Sequence, residues 1–107
     1  MPNRRIEVLT FDGCPNALAA HALVDRVVAD LGVEAEVASV RVPDVDAVER
    51  LRFLGSPTIR VDGCDVQPDA ARRTDYALAC RVYATATGPS NLPDEDWLRA
   101  ALSESKE

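Results

Sequence analysis

The hydrophobic period of this chain changes between residues 11 and 15, and that change restricts the fold more than any other feature. Ile6 to Phe11 is rich in strand-forming residues and stops at the turn pair Asp12-Gly13. From Pro15 to Leu31 the spacing becomes helical. Ala20, Val24, Val27, Val28 and Leu31 share one helical face, and Gly32 follows where a helix ends. A strand feeding directly into a long amphipathic helix is the opening of an α/β unit. In 107 residues there is room for one such domain and no second core.

The remaining chain continues the pattern. Ala35 to Val42 reads as a second strand, and Asp44 as the N-cap of a shorter helix marked by Val45, Val48 and Leu51 that ends near Gly55. Thr58 to Val61 is a further strand, and Asp62-Gly63 is a strong hairpin signal that returns Cys64 to Val66 beside it. Pro68 to Ala79 is compatible with helix or ordered loop, and Arg81 to Ala86 with a short strand or extended segment. Asp94 caps a last helix carrying Trp97, Leu98, Ala101 and Leu102, and 103–107 reads as a frayed end.

Composition narrows the function. At 47% hydrophobic and 28% charged the chain is that of an ordinary folded domain, and its net charge of −6 repels nucleic acid and anionic lipid. Neither a nucleic-acid nor a membrane partner is expected. Aromatic residues are scarce at 5%, so the core is built from small and β-branched side chains. Three cysteines are too few for a secreted disulfide scaffold, and no signal peptide or membrane span is visible, so a cytoplasmic, reducing location is expected.

The sharpest local feature is Phe11-Asp12-Gly13-Cys14-Pro15-Asn16-Ala17. Pro15 suits the first helical position, which sets Cys14 at or beside the N-cap. There the free N–H groups and the helix dipole favour a thiolate, the form that attacks disulfides and binds soft metals. The plainer reading of Cys14 is a small buried hydrophobe. Asp12 opposes the dipole through its like charge. The second feature is Gly55-Ser56-Pro57-Thr58, a proline immediately before a strand that leads into a hairpin.

With both features in hand, the chain resembles the thioredoxin-like superfamily, and more narrowly small bacterial thioredoxin-family proteins with a Gly-Cys-Pro motif. The resemblance runs through residues 6 to 66 and 94 to 102, with Cys80-Arg81-Val82-Tyr83 as a further likeness. It implies an α/β, three-layer β-α-β-α-β-β-α fold in which 67–90 is a variant connection before the last helix. It also implies that Cys14 is the nucleophilic thiol and that Pro57 is a cis-proline whose neighbouring backbone receives an extended substrate segment. Pro15, Ser56, Pro57 and Thr58 are then the substrate-binding residues. The expected partner is a thiol-containing protein or a low-molecular-weight thiol, with no cofactor.

One departure matters most. In Cys14-Pro15-Asn16-Ala17 an alanine stands where a dithiol enzyme has its resolving cysteine, so the ordinary dithiol cycle is closed to this chain. A small thiol, Cys80 or Cys64 could resolve a mixed disulfide at Cys14. Cys64 belongs to a hairpin end opposite the usual active-site end, which ranks it below Cys80. Cys80 has its own plain reading as a core cysteine, and Arg81 stands either as the electrostatic neighbour of a thiol or as a solvated side chain.

His21, the single histidine, lies two helical turns from Cys14, about 10.5 Å away, too far for a Cys/His pair. Without a closely spaced ligand couple, no structural zinc site is expected. Two rival classes stay open: a non-catalytic binding module on the same fold, and soft-metal handling of Cu(I) or mercury by Cys14 with Cys80.

Overall fold

The computed structural model describes residues 4–103. It is a mixed α/β structure with a four-stranded sheet and three helices. Strand β1 (Arg4–Thr10), helix α1 (Ala17–Leu31) and strand β2 (Ala35–Arg41) form the opening unit, with β2 parallel to β1 and Ile6 opposite Val37. Helix α2 (Val45–Leu51) follows, and then strands β3 (Thr58–Val61) and β4 (Cys64–Asp65). Strand β3 runs antiparallel to β1, with Leu9 opposite Thr58, and β4 antiparallel to β3, giving the order β2-β1-β3-β4. The hairpin joining β3 to β4 turns through Asp62 at φ 53 and Gly63 at φ 86, two left-handed residues that suit the twist of the flanking strands.

The alternation of β1 separates two cores. Ile6 and Val8 face α1 and α3 (Glu95–Ser103), where Ala20, Leu23, Val24, Val27, Leu98 and Leu102 are buried with Ile59 and Val61. Leu9 points the other way, into a cluster with Val42, Ala47, Val48 and Phe53 under α2. The sheet is thus covered on both sides, helix–sheet–helix.

Asp44 caps α2 by accepting the Ala47 N–H at 2.9 Å. Asp44→Ala is expected to lower stability by about 1 kcal/mol, read from the urea midpoint. The helix stops four residues short of Gly55. Arg52 turns left-handed at φ 55, and the N–H groups of Arg52 and Phe53 return to Glu49 and Val48. That turn carries Phe53, an apolar residue that periodicity alone extends into the helix, down into the second core instead.

Between β4 and α3 the chain is largely irregular. Pro68 to Ala79 holds only a 3-10 turn at Ala70–Arg72, and a small hairpin of β5 (Tyr83–Thr85) and β6 (Gly88–Ser90) follows. Asp94 closes the segment, accepting the Asp96 N–H at 2.9 Å at the start of α3. Among the described residues no helix is long and apolar enough to cross a membrane.

Candidate functional site

The register of the sheet brings the cysteine turn and the proline segment to one end. Because Leu9 faces Thr58, the carboxyl end of β1 lies beside the start of β3, and both Cys14 and Pro57 follow from that shared edge. Cys14 sits in a turn closed by its N–H donating to the Phe11 carbonyl at 3.2 Å. Its carbonyl in turn accepts from Ala17 N–H at 3.4 Å, and the first full helical bond runs from Ala20 to Asn16. The N-cap is Asn16, which makes no side-chain capping bond. Pro15 is therefore not the first helical residue and Cys14 is two positions ahead of the cap, because an extra turn intervenes between strand and helix. The thiol is half-buried and Pro15 is exposed.

Asp12 does not stand as an isolated charge beside it. Arg41 at the end of β2 grips its carboxylate with Nε at 2.9 and 3.0 Å and Nη2 at 2.6 Å. These hydrogen bonds hold the Asp12 carboxyl below the usual carboxylate range. His21 faces β2, 3.0 Å from Ser39 Oγ, as a partly exposed helix residue.

The Ser56–Pro57 peptide is cis, and Ser56, Pro57 and Thr58 are all buried. The Ser56 N–H and the carbonyls of Gly55, Ser56 and Pro57 all have partners in the chain itself. Ser56 N–H donates to the Ala79 carbonyl at 2.8 Å, and Arg81 N–H donates to the Ser56 carbonyl at 2.9 Å. Tyr83 Oη donates to the Pro57 carbonyl, and Thr58 Oγ1 to the Gly55 carbonyl, both at 2.6 Å. Residues 79 to 81 thus run alongside Ser56 as a one-bridge parallel strand, with Cys80 opposite Ser56. Only glycine fits at 55. Its φ is +120, and an added Cβ would lie 3.0 Å from Arg81 Cβ and 3.1 Å from the Ala79 carbonyl.

Arg81 is not solvated. Its side chain is 1% exposed and donates to Asp65 at 2.7 Å, Thr58 Oγ1 at 2.9 Å and Gln67 Oε1 at 2.7 Å. Its guanidinium also lies 4.3 Å from the Tyr83 ring centroid. The sequence carried a signal for this. Cys80-Arg81-Val82-Tyr83 alternates with period two, so burying Arg81 and Tyr83 turns Cys80 and Val82 outward, and both are exposed. Cys80 is therefore not a core cysteine.

Tyr83 is the largest fully buried side chain, and burial raises its phenol far above the ordinary value of 10.0. A raised phenol contributes stability that is complete below the unfolded value and lost as pH climbs past it. Unfolding free energy should hold steady and then fall above about pH 10. Tyr83→Phe should remove that alkaline fall, as followed by urea titrations across the range.

No protein-family model matches this chain, and no curated protein does.

The three cysteines are free, and the sheet divides them. Cys64 pairs with Val61, which faces Ile6, so it lies at the end of the sheet away from Cys14. Cys80, bridged to Ser56, shares the Cys14 end. Among the described residues no three His, Cys, Asp or Glu side chains gather to hold a metal. What this end offers chemically is one half-exposed thiol in a turn and one exposed thiol on a braced strand, with Ala17 leaving nothing sulfurous in the first helical turn.

Proposed function

We propose that this chain is a thioredoxin-like redox protein in which Cys14 attacks a disulfide and holds one half of it as a mixed disulfide. The observation that carries the reading is the convergence of the Cys14 turn and the Ser56–Pro57 segment at one end of the sheet. The element order through β4 supports it further. Cys80 is the candidate to resolve the intermediate, since its bridge to Ser56 holds it at that same end while Cys64 lies at the other.

Oxidation of the protein followed by disulfide mapping tests this reading. A reversible Cys14–Cys80 bond is the expected product. A mixed disulfide on Cys14 that only an added small thiol releases would leave Cys14 in its role and remove Cys80 from it. Three thiols that stay free against excess disulfide would overturn the proposal.

A scaffold reading has one observation in its favour. Leu18 opens α1, Val45 opens α2, and Leu78 and Val82 flank Cys80; all four are exposed apolar side chains around the same end. A partner held by such a surface would bind the Cys14→Ser protein unchanged, whereas a partner held through sulfur would not.

A further inference from the structure

The position beside Pro57 at which an extended partner would pair its backbone is already filled by this chain. A segment joins a sheet edge by exchanging N–H and C=O bonds with free groups there. At Ser56 both groups are engaged, by Ala79 and Arg81, and at Pro57 there is no N–H and the carbonyl is taken by Tyr83. The occupant is not loosely laid. Arg81 anchors it through Asp65, Thr58 and Gln67, and Gly55 is shaped to let it approach.

We infer that residues 79 to 81 are a permanent internal strand at this edge, and that Cys14 accordingly reacts with low-molecular-weight disulfides in preference to extended peptides. On this inference Ser56, Pro57 and Thr58, all buried in the free chain, do not receive a substrate segment. The inference rests on Cys14 being the reactive thiol. The step is a plain exchange. The Cys14 thiolate forms a bond to one sulfur of the small disulfide, the original S–S bond breaks, and the departing thiolate takes a proton from water. No outside electron source enters.

Two probes with the same leaving group test this: the thionitrobenzoate mixed disulfide of glutathione, and that of a linear peptide with a central cysteine. Rates on a Cys64→Ser background are divided by those of a free model thiol. The glutathione probe should be favoured by about tenfold, the factor that one forfeited net hydrogen bond represents. Gly55→Ala, which pushes against the internal strand, should narrow that preference.

Amide exchange supplies a readout that needs no reaction and no variant. The Ser56 and Arg81 N–H groups should be protected in the free protein and unaffected by excess peptide. Equal rates for the two probes, or fast exchange at Ser56, would overturn the inference. Silence of Cys14 toward both probes would bring down the Cys14 reading and the small-disulfide preference with it, while exchange at Ser56 would still decide separately whether the edge is filled.

Discussion

Arg81→Ala should cost the fold about 3–5 kcal/mol, the range for removing one member of a buried ion pair. The size follows from what is left behind. Asp65, only 11% exposed, would keep its charge with no cation paired to it and only the Gln67 N–H donating to it, while Thr58 Oγ1 would lose its donor and Gln67 Oε1 one of its two. Against a typical total of about 5–15 kcal/mol, that loss brings a small domain near unfolding. Urea denaturation followed through Trp97, the single tryptophan, reads it directly. The double variant Arg81→Met with Asp65→Leu should regain most of the stability, because apolar replacements leave no stranded charge. A single variant as stable as the native protein would mean that the network contributes nothing to the fold.

The second large effect is chemical, and it separates Cys14 from Cys80. On a Cys64→Ser background, Cys14→Ser should abolish mixed-disulfide formation with the glutathione probe at this site, leaving only slow labelling of the exposed Cys80. Cys80→Ser should do the reverse: the adduct on Cys14 forms and then accumulates, because no neighbouring thiol releases it. Intact-mass measurement distinguishes a missing adduct from a trapped one. Unchanged labelling of Cys14→Ser would refute its role, and prompt release from Cys80→Ser would assign resolution to the small thiol alone.

Much of the architecture was legible in residue order because the signals are local. The period change across 11–15, the Gly32 stop, the Asp44 and Asp94 caps and the Asp62-Gly63 turn each act within a few residues, and each has its expected counterpart in the structure. The errors are also local in origin. Pro15 is as compatible with a turn as with a first helical residue, so the extra turn before Asn16 left no mark in the spacing. Helix α2 ends before Gly55 because Arg52 adopts a left-handed conformation that its residue type does not advertise. The hairpin of β5 and β6 is short and polar, with little periodicity to read.

By itself, then, residue order determined an α/β domain with a cysteine after the first strand and a proline before the third. Those are matters of local propensity and of which atoms are present. Only the tertiary structure decided which cysteines share an end of the sheet, that Arg81 is interior, and that residues 79 to 81 close the backbone beside Pro57. The reason is distance along the chain: Ser56 and Cys80, or Arg81 and Thr58, meet across more than twenty intervening residues that include the β3–β4 hairpin and a long irregular segment. Such a meeting is set by satisfying buried polar groups, which no short window of sequence contains.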